Sequence, residues 1–320
     1  MRVNRTFLYA GVFLLMLGGV VVIADLVDAD TSIIADALRL WPLALVAIGV
    51  ALVVRRSPAA LPAGLVAAAL PGLVLGGSIA AAPQIGHQCT GPGEVPVVAS
   101  EQGTFAGAAR VSIRSACGTL IIDTINGRGW SVEAGSVAGR TPTIRSSPDF
   151  LSIDADERHD WRWFGDDLSR LNVSLPTSRL DALATDVTFG EGVLDLSDAD
   201  IGRLDLVANA GRLELDATSA SIDELVAELS LGEMAILLPS GSDLTGTLSV
   251  SAGELSLCSP DDLGLRVITA GDAREVTAEG RRLDATTWTS PNYASAVHHA
   301  DLTADVTLGA LRINPTGGCR

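Results

Sequence analysis

Four histidines, four cysteines and several paired aspartates are the side chains here with the chemistry to bind or react. His87, His159, His298 and His299 lack the H-x-x-x-H spacing that sets two imidazoles on one helical face toward a metal. The adjacent His298-His299 reads as a solvated loop pair, with metal binding as the alternative. Asp198 with Asp200, and Asp261 with Asp262, raise the question of calcium. Neither pair follows the EF-hand or the nonapeptide calcium repeat, so solvated turns are the reading. No G-x-S-x-G, H-E-x-x-H or G-K-[ST] motif occurs. The expectation is no enzyme, no cofactor and no resident metal.

Cys89, Cys117, Cys258 and Cys319 all lie beyond the first quarter of the chain. An even number confined to one region fits disulfides in an oxidising compartment, with four free buried thiols as the alternative. Three pairings exist; pairing of chain neighbours, Cys89–Cys117 and Cys258–Cys319, is preferred. No C-x-x-C occurs, which removes zinc-ribbon and thioredoxin-like readings. Trp161, Arg162, Trp163 and Phe164 form a candidate partner contact, since Trp and Arg together mark binding hot spots. The favoured reading of the segment is a cap, with Trp161, Trp163 and Phe164 covering the first rung of a β stack.

The elements that must hold these residues are a β repeat. Gly192, Gly211, Gly232 and Gly253 each open a G-x-[LM]-x-[LI] motif, and Gly118 and Gly309 open matching motifs toward the two ends. Gly211, Gly232 and Gly253 are 21 residues apart, and Gly190 continues that spacing with Gly192 as a two-residue slip. Apolar residues alternate on both sides of the glycine, as in Leu248 and Val250, then Leu255 and Leu257. Period-two alternation buries one face of a strand and wets the other. Glycine permits a bend or close backbone approach. Asp, Ser, Gly and Pro fill the gaps between units, as turns require. A unit this short must stack on its neighbours to bury its apolar face. The expected product is a β-solenoid of ~21-residue rungs, with an ordinary β-sandwich as the alternative. It is placed at 111–316 and is clearest at 180–267, with 84–110 as linker and first strand.

The first 83 residues differ in kind. Apolar segments at 7–24, 33–54 and 61–82 approach the ~20 residues a helix needs to cross a bilayer. They predict a three-helix transmembrane region. Asp36 and Arg39 weaken the second segment, which is alternatively a re-entrant hairpin; a signal peptide is the alternative for the first. Arg2, Arg5, Arg55 and Arg56 put the N-terminus in the cytoplasm by the positive-inside rule. Three crossings then place the β domain outside the cytoplasm, in a multi-pass protein with membrane lipid as a partner.

All 22 basic side chains are Arg, and the net charge is −16. The region after residue 83 holds 17 of those Arg and 34 of the 38 acidic residues. Such a field disfavours nucleic acid. It implies no oligomeric state.

The stretch from Gly11 to Val20, followed by Leu40-Trp41-Pro42 and the run to Gly49, resembles the LiaI/LiaF-like transmembrane region. The glycine repeat is similar to the adhesin-like, toastrack-type β-strand repeat that follows such helices in bacteria. The resemblance implies a cell-envelope protein, an accessory sensor or regulator of an envelope stress response acting on a membrane sensor kinase or another envelope protein. A surface adhesin or structural scaffold anchored by the helices is the alternative.

Overall fold

A computed structural model describes residues 9, 11–16, 18–19, 64–70, 72, 95–137, 139–155, 169–270, 276–283 and 286–319. The chain divides into two compact units, Met1–His87 and Gln88–Arg320.

In the first unit the described residues, among them 11–16 and 64–70, are helical. Among the described residues no helix is long and apolar enough to cross a membrane. The three-helix anchor and the multi-pass membrane placement drawn from it are therefore corrected. The segment 33–54 lies wholly outside the described residues, as do most of 7–24 and 61–82.

The second unit is built of strands. They are β1 (Val97–Thr104), β2 (Ala109–Ile125), β3 (Gly129–Ser136), β4 (Thr143–Ser147), β5 (Phe150–Asp154), β6 (Ser169–Pro176), β7 (Leu180–Asp195) and β8 (Asp200–Asp216). Then follow β9 (Ser221–Leu237), β10 (Leu244–Cys258), β11 (Leu263–Ala270), β12 (Val276–Ala278), β13 (Arg281–Arg282), β14 (Thr287–Thr289), β15 (His298–Val306) and β16 (Ala310–Ile313). Among the described residues all sixteen belong to one open sheet, whose main path runs β1-β3-β6-β2-β7-β8-β9-β10-β15-β11-β14.

The central strands pair in parallel with a 21-residue offset, Gly190 against Gly211, Gly211 against Gly232 and Gly232 against Gly253. That pairing dictates the shape of each strand. Drawn straight, the 16 residues of β7 would span about 50 Å. Only residues 196–199 separate it from β8, a reach of about 14 Å. Each long strand must therefore fold back on itself, and the glycine line is where it folds.

Inside the fold, like residues stack along the sheet. Leu183, Leu204 and Leu225 are register partners, as are Leu194, Leu215, Ile236 and Leu257. All are at most 1% exposed. Each such side chain contributes about 1.5–3 kcal/mol on leaving water.

The expected fold class, a helical anchor joined to a β-solenoid, is thus corrected to a mostly β chain in one open sheet. The 21-residue stack runs through β7–β10, and elsewhere strands pair differently. β1, β3 and β14 pair antiparallel, and β15 from late in the chain inserts between β10 and β11. The physical reason is the end of a stack. A terminal unit has no successor, so its edge N–H and C=O groups need other partners.

Candidate functional site

The glycine line is a close-approach column. A Cβ built on Gly190, Gly211 or Gly232 would collide with the carbonyl oxygen of the preceding glycine in the column. On Gly253 it would lie 2.5 Å from the Gly232 oxygen, and on Gly309 it would lie 2.7 Å from the Gly253 oxygen. Gly118, Gly190, Gly232 and Gly253 also have φ between +118° and +158°, where L side chains are strained. Gly192 pairs with Leu213, two residues beyond the column, whose member in β7 is Gly190.

Ion pairs run across the outside of the stack, and Arg179–Asp200, Arg203–Glu224 and Arg212–Glu233 keep the same 21-residue offset. Arg179 donates to Asp200 at 2.6 Å and to Asp223 at 2.7 Å. Arg203 Nη1 donates to Glu224 at 2.5 Å, and its Nε donates to Asp205 at 3.0 Å. Arg212 pairs with Glu233, and Arg312 with Glu254 at 2.7 Å. The bond to Asp223, then that to Asp200, raises the Arg179 guanidinium above its ordinary value. These groups are half exposed, so each pair adds little stability. What they fix is the order of the surface.

One end of the stack carries a cleft of ≈ 430 Å³ lined by Asp243, Leu244, Thr245, Tyr293, His299 and Asp301. Parallel pairing makes it. β15 lies between β10 and β11, so Thr245, Asp301 and Arg266 are neighbours in one row. His299 precedes that row by two residues on β15, and Asp243 precedes it by two, just before β10 begins. The turn segment 291–297 covers Gly264, where a Cβ would stand 3.0 Å from Ala296 Cβ and 3.1 Å from Tyr293 Cα. A side chain at 264 would push this segment away, so the glycine admits Tyr293 to the site.

Contacts among these residues hold the wall. The Tyr293 hydroxyl donates to Asp301 Oδ1 at 2.9 Å, and Arg266 Nε lies 2.7 Å from the same oxygen. The Arg266 guanidinium sits 5.2 Å from the Tyr293 ring centre, and His299 meets that ring edge-on at 4.9 Å. Burial, then the bond to Asp301 and the charge of Asp301, raise the Tyr293 hydroxyl above its ordinary value. The backbone N–H of His299 donates to Asp243 Oδ1 at 2.9 Å. His299 Nε2 lies 2.9 Å from the Tyr293 carbonyl oxygen. A carbonyl only accepts, so Nε2 carries the proton, and in the neutral ring Nδ1 is left as an acceptor.

The other sequence candidates are dispersed. His298 opens β15, with Nδ1 3.7 Å from Asp243 Oδ1. Asp198 sits in a turn with φ 59°, Asp200 holds Arg179, and the carbonyl of Asp261 accepts from Asn292. Cys258 and Cys319 form a disulfide with Cα atoms 6.0 Å apart, and Cys117 is also disulfide-bonded. Cys89, His87, His159, Trp161, Arg162, Trp163 and Phe164 lie outside the described residues. Among the described residues no group of three or more His, Cys, Asp or Glu is placed to hold a metal. Sequence reasoning missed Asp243, Arg266, Tyr293 and Asp301; the His298-His299 pair was the one local sign of this region.

No protein-family model matches the chain, and no curated protein matches it. Solved structures similar to it are β-rich. A candidate cell adhesion protein from Clostridium sporogenes has 13% identity and a TM-score of 0.44, with 68% of this chain and 99% of that chain covered. A candidate adhesin from Bacteroides fragilis has 9% identity and a TM-score of 0.30, with 69% and 98% covered. A candidate lipid binding protein from Parabacteroides distasonis has 10% identity and a TM-score of 0.25, with 70% and 98% covered. Values this low carry no functional inference. The LiaI/LiaF-like resemblance rested on residues that lie mostly outside those described, and no comparison supports it.

Proposed function

We propose that this chain is a non-enzymatic structural scaffold of the adhesin type, which presents an ordered β surface to a partner. The observation that carries this reading is the 21-residue offset shared by the glycine column and the Arg179–Asp200, Arg203–Glu224 and Arg212–Glu233 ion pairs. Close backbone contact along the fold line stiffens the sheet. Outward side chains then repeat from strand to strand at about 4.8 Å, a fixed array that suits recognition of an extended partner. The Cys258–Cys319 disulfide ties the chain end to β10. Such a bond persists in oxidising surroundings, which suits a surface role. The net charge of −16 favours basic or neutral partners over nucleic acid.

The test is a deletion strain scored for surface attachment and envelope integrity. Loss of either, restored by the wild-type chain, is the expected result. A deletion that leaves both intact and shifts only the envelope-stress transcriptome overturns the scaffold reading in favour of regulation.

A further inference from the structure

Between β2 and β3 the chain must cross the end of β6, which lies between them in the sheet. Residues 126–128 make the crossing as an exposed arch. The arch is tied to β6 from below. Thr177 N–H donates to the Ile125 carbonyl at 2.9 Å, and Ser178 N–H to the Gly127 carbonyl at 3.3 Å. On the far side the Arg128 guanidinium donates to the Ala106 carbonyl at 2.9 Å. The top of the arch is open. A Cβ on Gly127 would meet nothing within 4 Å, and Gly127 has φ +103°. Its N–H has one distant acceptor, Thr177 Oγ1 at 3.4 Å. The Asn126 carboxamide takes part in no hydrogen bond among the described residues.

A free carboxamide beside an unhindered backbone nitrogen carries its own reaction, because the side-chain Cγ and the next nitrogen can close a five-membered ring. A side chain on the next residue obstructs that closure, and glycine has none. The other described asparagines each lack part of the arrangement. Asn172 and Asn209 lie within β6 and β8 and precede Val173 and Ala210. Asn209 donates to Asp186, and Asn292 donates to the carbonyls of Asp261 and Leu263. Asn314 bonds Ser259 and precedes Pro315, whose nitrogen has no proton to lose.

From this we infer that Asn126 is a site of spontaneous covalent modification, deamidating in the folded chain to isoaspartate and aspartate. Hydroxide takes the Gly127 N–H proton, and the nitrogen attacks Asn126 Cγ. The Cγ–Nδ2 bond breaks, and Nδ2 leaves as ammonia with a proton from water, which regenerates hydroxide. The succinimide that remains is opened by water. Addition at Cγ gives aspartate; addition at the main-chain carbonyl carbon of residue 126 gives isoaspartate, with the backbone routed through Cγ. Water is consumed, ammonia is released, and nothing is oxidised or reduced. Both products place a new carboxylate next to Arg128. Isoaspartate also lengthens the backbone by a methylene, which displaces Gly127 from Thr177 and Ser178 and loosens the entry to β3.

The experiment holds the folded full-length chain at neutral and at mildly alkaline pH, digests it under acidic conditions and follows each asparagine peptide by mass spectrometry. Conversion replaces an N–H by an oxygen, and that mass change identifies it. Asn126 is expected to convert at least about tenfold faster than Asn172, Asn209, Asn292 or Asn314. Its rate should rise with pH, because the Gly127 nitrogen must first lose its proton. An isoaspartate-specific methyltransferase should transfer a methyl group from S-adenosylmethionine to the same peptide. Gly127→Ala should slow conversion by about tenfold or more. Where that variant disturbs folding, the comparison among the five asparagines of the wild-type chain decides. The inference is overturned by an Asn126 peptide that converts no faster than the other four, by a folded Gly127→Ala chain that converts like wild type, or by conversion confined to urea-unfolded chain.

Discussion

Replacement of Gly232 by Ala tests the physical basis of the fold most directly. Gly232 has φ +118°, and a Cβ there would strike the Gly211 oxygen and lie 2.9 Å from the Gly211 nitrogen. Two costs follow. An L residue held at that dihedral loses about 1–3 kcal/mol. Relief of the collision needs β8 and β9 to part at the bend, which breaks one or two ladder hydrogen bonds worth about 1 kcal/mol each. The expected loss is therefore about 2–5 kcal/mol, a large share of the ~5–15 kcal/mol that holds a typical protein folded. Two companions divide the effect. Gly211→Ala meets the same kind of collision, with the Gly190 oxygen, but carries no strained φ, so it should cost less than Gly232→Ala by the dihedral part. Gly241→Ala meets nothing within 4 Å and should stay within about 0.5 kcal/mol of wild type. Urea unfolding of the full-length variants, followed by far-ultraviolet circular dichroism, gives all three numbers. A Gly232→Ala chain as stable as the Gly241→Ala control would refute the close-approach column.

Three further outcomes follow from named residues. The Cys258–Cys319 bond spans 61 residues, so the double Cys→Ser variant should lose roughly 4 kcal/mol by loop entropy, measured by denaturation against the oxidised wild type. Thr185 Oγ1 is buried without a hydrogen-bond partner, so Thr185→Val should be neutral or stabilising in the same assay, since an apolar group of that shape leaves no orphan hydroxyl. The folded-state value of Tyr293 lies above the unfolded one, so its contribution to stability is complete below about pH 10 and is lost as pH rises through the folded value. The chain has two tyrosines, so tyrosinate absorbance of the Tyr9→Phe variant reads Tyr293 alone.

Much of the stack is legible along the chain, because its cause is local and periodic. Gly211, Gly232 and Gly253 recur every 21 residues, and the same interval is the pairing offset of β8, β9 and β10. The ion-pair rows obey it too, since Arg203 reaches Glu224 and Arg212 reaches Glu233 at that offset. The slip from Gly190 to Gly192 was resolved only by pairing, which sets Gly190 opposite both Gly118 and Gly211. The N-terminal runs show the opposite limit. Apolar composition states that a segment avoids water, and not what shields it, so run length alone led to a spanning anchor that the described helices do not support.

The amino-acid order by itself determined strand character, the repeat interval and the acidic surface, since alternation, glycine placement and charge each act within a few residues of where they stand. Tertiary structure alone decided that β15 enters between β10 and β11. That choice joins the His299 backbone N–H to Asp243, 56 residues away, and sets Arg266 against Asp301. No local preference specifies it. A parallel partner is selected by which buried rows it completes, here Ala300 beside Leu244 and Leu302 beside Gly246, and the cleft is a consequence of that packing.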